Sequence, residues 1–200
     1  VNSRASTSLS YGASQREILN RAAFVAAQSE ITSWPGYAPT PLIPLPGLAG
    51  EAGVADVWCK HEGARFGLGS FKPTGPTFAM LAVLKAEVKA RAGVEVGTQD
   101  LLAGRHAQVT ANIVVSAATS GNHGRALAWG ATLFGCQAVL YMNDGVSAGR
   151  AAAIEAHGGQ VVRVPGAYEQ VVTRLYEDAD RHGHIVVGDP GTERYPKVSR

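Results

Sequence analysis

Asn112-Ile-Val-Val-Ser-Ala-Ala-Thr-Ser-Gly-Asn-His-Gly-Arg-Ala-Leu-Ala-Trp-Gly-Ala-Thr-Leu-Phe134 decides how the rest of the chain is read. Asn112–Ser116 is a short β-branched run and reads as a strand. Ala118–Gly124 carries two glycines and polar side chains, so it is a turn, and Arg125–Phe134 returns to helical periodicity. The same rhythm continues to the C-terminal side, with strand Gln137–Tyr141, helix Ala148–His157, strand Gln160–Val164, helix Tyr168–His182 and strand His184–Gly188. Four apolar strands alternating with helices predict an α/β fold with a parallel four-stranded sheet and right-handed crossovers. Ligands of such sheets bind beyond the carboxyl ends of the strands, which makes the Ala118–Gly124 turn the first place to look for chemistry.

Composition narrows the function classes. The chain has 200 residues, 46% hydrophobic and 17% charged, which is a folding composition and not a disordered one. A net charge of +2 is too small for a general nucleic-acid surface, so no nucleic-acid partner is expected. Apolar runs such as Ile113–Ala118 fall far short of the ~20 residues of a membrane helix, and the N-terminal residues lack a signal-like apolar core. No membrane association is expected. Cys59 and Cys136 stand far apart and fit no ligand or redox spacing, which excludes a disulfide scaffold and points to a reducing, cytoplasmic setting. Both are read as buried small apolar residues.

Toward the N-terminus, a loose Ser/Thr-rich arm precedes a helix over Gln15–Gln28. The prolines between Trp34 and Pro46 forbid helix and predict an extended segment. Asp56–Glu62 reads as a strand and Gly63–Ser70 as a loop. A helix over Pro73–Arg91 places Met80, Leu81, Leu84 and Val88 on one face, with Lys85, Lys89 and Arg91 as a solvated end. Gly93–Ala111 is a polar connector holding one short helix at Thr98–Leu102.

Two segments carry possible chemistry. In Ala118-Thr-Ser-Gly-Asn-His-Gly124, glycines let the backbone approach a ligand, and the free N–H groups of the helix start favour an anion. A tight turn without a ligand would use the same residues. Neither Gly-x-Gly-x-x-Gly nor a phosphate loop ending in Gly-Lys-Ser/Thr occurs there. In Arg65-Phe-Gly-Leu-Gly-Ser-Phe-Lys-Pro-Thr-Gly75, Lys72 lies between a Gly-rich loop and a helix start, where dipole and partial burial both favour the neutral amine of a nucleophilic lysine. A solvated surface lysine is the competing reading.

Together, Ser70-Phe-Lys72 and, about fifty residues later, Ser120-Gly-Asn-His-Gly124 resemble the fold type II pyridoxal-phosphate enzymes of the tryptophan synthase beta-like class. That class includes the serine and threonine dehydratases and the threonine synthases. Arg65–Lys72, Gly121–Arg125 with Ala128-Trp129, and the polar insertion look most like the diaminopropionate ammonia-lyases. The resemblance implies pyridoxal 5'-phosphate as cofactor and β-elimination of ammonia from the small amino acid 2,3-diaminopropionate, ending in pyruvate. A homodimer is implied as well.

On that resemblance Lys72 would hold the cofactor aldehyde and later move the substrate proton. Phe71 would pack against the pyridine ring, and the Asn122 amide would bond the ring hydroxyl oxygen. Thr119, Ser120, Gly121 and His123 would hold the substrate carboxylate. Asp189 would sit near the substrate amino groups, unless it is only a turn former before Pro190. The ammonia-lyases usually carry Asp where this chain has Ser120, a residue that draws the expected catalytic set of Lys72, Asp189 and Ser120 toward the serine/threonine dehydratase pattern. The Asp is tied to proton abstraction from the D-isomer, and a hydroxyl without an activating base does not replace it.

Other polar residues have plainer readings. His182 and His184 flank a helix end and lack a third metal partner, so no metal is expected. Trp129 is read as core. The division expected is an N-terminal arm and strands of a larger domain over residues 1–71, a smaller αβ domain over 72–188, and a return toward the larger domain over 189–200. No cofactor phosphate loop is recognisable, since the glycine pair Gly158-Gly159 falls between a helix and a strand. The chain is therefore expected to be the N-terminal part of a longer enzyme, and an inactive fragment on its own.

Overall fold

The computed structural model describes residues 11–188. The expected helix over Gln15–Gln28 is in fact two, α1 (Ala13–Ile18) and α2 (Arg21–Thr32). Asn20 divides them, because its side chain accepts from Ala23 N at 2.8 Å and donates to Arg16 O at 3.1 Å. A cap of this kind starts a new helix inside a run that periodicity reads as continuous. The apolar residues of the run are not a core stripe among the described residues, since Ile18, Leu19, Phe24 and Val25 are all exposed.

The proline-rich segment begins with a turn at Trp34–Gly36, closed by Tyr37 N donating to Trp34 O at 3.2 Å, and is extended only from there to β1 (Leu42–Pro44). A short helix not anticipated from the sequence, α3 (Pro46–Ala52), follows, with Pro46 at the first helical position where a missing N–H is harmless. The strand expected over Asp56–Glu62 shrinks to β2 (Trp58–Lys60), which pairs antiparallel with β1, Ile43 opposite Cys59.

Behind this ribbon a polar pin replaces an apolar core. Arg65 is buried, and its guanidinium reaches both carboxylate oxygens of Glu62 at 2.8 and 3.0 Å, Ala38 O at 2.9 Å and Thr40 Oγ1 at 3.1 Å. Lys60 Nζ closes the network on Thr40 O. The hydrogen bonds from Arg65, opposed by burial and joined by Thr40, hold the Glu62 carboxyl down to about 2. The expected Gly63–Ser70 loop is entered through a 3-10 turn over Glu62–Gly67 that is kinked at Arg65 and Phe66.

Lys72–Thr74 forms its own 3-10 turn, and α4 (Pro76–Ala92) starts only after Gly75. The helix expected from Pro73 therefore begins late, because Gly75 and Pro76 interrupt the register. Met80, Leu81, Leu84 and Val88 are buried as the spacing predicts. Lys85 is not simply solvated: its Nζ lies 3.0 Å from Glu30 Oε2 and ties α4 to α2. Lys89 and Arg91 pair with Glu95 and Glu87 at the surface. The connector holds α5 (Thr98–Leu102), as expected, and a further short helix, α6 (Ala107–Thr110).

The regular part follows: β3 (Val114–Ala118), α7 (Asn122–Phe134), β4 (Gln137–Asn143), α8 (Ala148–Glu155), β5 (Gln160–Val164), α9 (Tyr168–His182) and β6 (Ile185–Val186). These strands form one parallel sheet in the order β5-β4-β3-β6. β3 lies slightly later than the expected Asn112–Ser116 because Ala117 and Ala118 still pair with Leu140 and Tyr141 of β4.

Alternate residues face opposite sides, as strand geometry requires. Val115, Ala117, Leu140 and Met142 pack with α4, α7 and α8. Val139, Tyr141, Val164 and Val186 pack with α9. Coverage of both faces explains why the strands read as unbroken apolar runs. Trp34, 2% exposed, packs on Phe66 and Phe134 with centroids 6.0 Å away, and Phe66 lies 4.8 Å from Trp129, so aromatic rings fasten the N-terminal segment to α7. Trp129 is half-buried in that contact, in keeping with a core role.

Both cysteines are half-buried and unbridged, not fully buried as expected. Burial pushes the Cys136 thiol up to about 12. The His182 and His184 rings lie 5.6 Å apart, and no group of three or more metal-ligating side chains occurs among the described residues. None of the described helices is long and apolar enough to cross a membrane.

Candidate active site

At the carboxyl end of β3 the chain has to turn at once into α7, and Thr119 organises that turn. Its buried Oγ1 accepts from both Gly121 N and Gly124 N at 3.0 Å, which satisfies two donors at the helix start. Gly121, at φ 147 and ψ −79, adopts a backbone conformation that a side chain would strain. A Cβ on Gly124 would meet Thr119 Cγ2 at 2.6 Å and Ile154 Cδ1 at 2.9 Å, so the close approach of α7 to the turn and to α8 favours glycine there too.

The turn forms one wall of a cavity of about 450 Å³. Ser120, Asn122 and His123 line it together with Thr119 and Ala118, and Lys72 lines it as well. The structure therefore brings the two sequence motifs to one hollow, at the end of the sheet where α/β proteins place ligands. His123 is buried, and its Nε2 lies 2.8 Å from Val187 O, which ties the turn to the strand end beyond β6. The Asn122 Oδ1 is 3.4 Å from Arg125 Nη2.

Phe71 does not line the cavity. It is 60% exposed, with its ring centroid 5.8 Å from Lys72 Nζ. Lys72 opens a separate 3-10 turn and does not stand at the start of the long helix, which corrects the placement expected from the sequence. Asp189 lies outside the described residues.

Two residues not singled out in the sequence also line the cavity, Arg150 and Tyr168. Arg150 lies in the first turn of α8 and donates to Ser120 O at 3.1 Å. Tyr168 opens α9. Both follow the carboxyl end of a strand, β4 and β5, so the rule that pointed to the β3 turn points to them as well.

Residues 33–195 match the family described as pyridoxal-phosphate dependent enzyme. The chain belongs to that family. It is 33% identical over 163 residues to diaminopropionate ammonia-lyase of Escherichia coli K12, and 30% identical over 168 residues to that of Salmonella typhimurium LT2. Each match covers 82% of this chain, which spans about 40% of the length of these relatives. The crystal structure of diaminopropionate ammonia lyase from Escherichia coli in complex with D-serine superposes with a TM-score of 0.76 at 31% identity, covering 86% of this chain and 43% of that one. The fold type II architecture expected from the motifs is thereby established.

The family's cofactor, pyridoxal phosphate, needs an amine for its aldehyde and polar side chains for its ring substituents. The cavity offers both, with Lys72 and Asn122 on its lining. The donor set therefore fits the group. Gly158 and Gly159 sit between α8 and β5, at the amino end of the strand, and so on the far side of the sheet from the cavity.

Proposed function

We propose that this chain forms part of a pyridoxal-phosphate-dependent carbon–nitrogen lyase that eliminates ammonia from 2,3-diaminopropionate, the product enamine hydrolysing to pyruvate and a second ammonia. The observation that carries the reading is the meeting of Lys72 with the Thr119–His123 turn in one cavity, in a chain one-third identical to diaminopropionate ammonia-lyases. The cofactor, when bound, supplies an aldehyde for amines and an electron sink for charge left at the substrate Cα.

The chain's own residues do the rest. Lys72 would hold the cofactor by its amine and would take the proton from the substrate Cα. The Asn122 amide would hold the cofactor's ring oxygen, whereas Phe71, outside the cavity lining, takes no part in that contact. The Thr119–His123 turn takes the substrate carboxylate on its backbone amides at the positive end of α7. Asp189 receives the substrate amino groups. We further propose a cytoplasmic homodimer divided into a larger domain (1–71 and 189–200) and a smaller one (72–188), the latter carrying the cavity-lining residues.

Ser120 favours a second reading, a serine/threonine dehydratase with the same opening step and hydroxide as leaving group. The whole protein, assayed for pyruvate with L-diaminopropionate, D-diaminopropionate and L-serine, distinguishes them. Fastest release from L-diaminopropionate is expected, with the D-isomer slow because Ser120 offers no base on the face opposite Lys72. Faster release from L-serine would overturn the ammonia-lyase reading.

A further inference from the structure

Arg150 is the charged cavity residue to which the reading above gives no role. Its guanidinium donates to the Ser120 carbonyl at 3.1 Å. Its stem lies along Gly121, where an added Cβ would be 3.4 Å from Arg150 Cδ. The same peptide unit is held at its other pole, because Gly121 N donates to Thr119 Oγ1 at 3.0 Å. Both polar ends of the Ser120–Gly121 peptide are thus fixed, across a glycine whose φ of 147 and ψ of −79 leave it many alternatives when released.

This grip has an electrostatic consequence. The Ser120 carbonyl, which would repel an anion, is engaged by a permanent cation. The next amide, Asn122 N, heads α7 and has no acceptor among the described residues. Among the described residues the bond to Ser120 O is the only hydrogen bond the Arg150 side chain makes, so its effect on the turn passes through that carbonyl.

We propose that Arg150 is a positioning residue for carboxylate recognition: it holds the Ser120–Gly121 peptide so that the turn presents amide hydrogens, not a carbonyl oxygen, to the anion. The proposal rests on the reading of the Thr119–His123 turn as the substrate-carboxylate site. It does not rest on which leaving group the substrate carries.

The test uses the whole, cofactor-loaded protein and follows the cofactor's visible band while L-alanine or L-alaninamide is added. Neither probe carries a leaving group, so the readout survives failure of the diaminopropionate assignment. Arg150→Met is expected to raise the half-saturating L-alanine concentration about tenfold, the scale of one charge-assisted hydrogen bond, and to leave that of L-alaninamide unchanged. Arg150→Lys recovers most of the difference. Equal weakening toward both probes, or none toward either, overturns the proposal. A wild type that binds L-alanine no more tightly than L-alaninamide removes the carboxylate site beneath it and overturns it as well.

Discussion

Residues 112–188 bury Leu127, Leu140 and Ile154 completely between a sheet and helices on both its faces, whereas residues 38–66 are organised around the buried Arg65 and leave Leu42, Ile43 and Trp58 exposed. The first region is held by non-directional packing and tolerates changes of charge. The second is held by a few directional bonds, so it fails when one partner is removed or protonated. The cavity is lined by the Thr119–His123 turn of the apolar unit and by Lys72, whose 3-10 turn packs on α4 and α7 rather than on the ribbon.

The largest expected difference comes from Arg65→Met, which leaves Glu62 without its partner. Arg65 is buried but Glu62 only half-buried, and losing charge-assisted hydrogen bonds of this kind costs about 1.5–3 kcal/mol. Hydrogen exchange is expected to lose protection at ribbon amides such as His61 N, bonded to Pro41 O, while amides of β3 and β4 keep theirs. Equal loss in both regions would show that they unfold as one unit and would dissolve the comparison.

Thr119→Val tests the other region. It removes the acceptor shared by Gly121 N and Gly124 N at nearly constant shape. A lost helix cap costs about 1–2 kcal/mol, to be read as a lower urea midpoint for the sheet unit with ribbon exchange unchanged. An unaltered midpoint would mean that the turn is held without Thr119.

Acid separates the regions more gently. Because the folded Glu62 carboxyl is held at about 2 against an ordinary value of 4.5, its contribution is fully present above about 4.5 and lost as pH falls toward about 2. Ribbon exchange is expected to accelerate over that interval, and Glu62→Gln to flatten the response. Asp178 obeys the same sign: burial pushes its carboxyl up, but Arg174 and Tyr141 outweigh that and hold it below the usual range. Acid therefore reaches the sheet unit also, at one anchor of α9, where apolar packing remains. The smallest effect is chemical. Burial pushes the Cys136 thiol in the sheet unit up to about 12, so alkylation at neutral pH is expected to modify Cys59 in the ribbon first. Equal rates would contradict the contrast in packing.

The same contrast decides what could be read in advance. Strands covered on both faces leave unbroken apolar runs, and so β4, β5 and α9 were legible to within a few residues. The ribbon depends on side chains that find one another across long stretches of sequence, as Arg65 finds Ala38 and Thr40, and no periodic pattern records that. Asn20 hid a helix break because it caps from inside an apolar run. In the cavity, Lys72 and the Ser120–His123 turn carry glycine-marked motifs and were visible. Arg150 and Tyr168 stand on ordinary first helical turns, and only the topology of the sheet singles them out.

The central claim is that Lys72 is the lysine that meets the cofactor at the turn beyond β3. Borohydride reduction of the cofactor-loaded whole protein, followed by peptide mapping, tests it most directly. The account predicts the phosphopyridoxyl mass on the peptide containing Lys72 and its disappearance in Lys72→Ala. The same mass on a peptide containing Lys60, Lys85 or Lys89, with Lys72 unmodified, would contradict it.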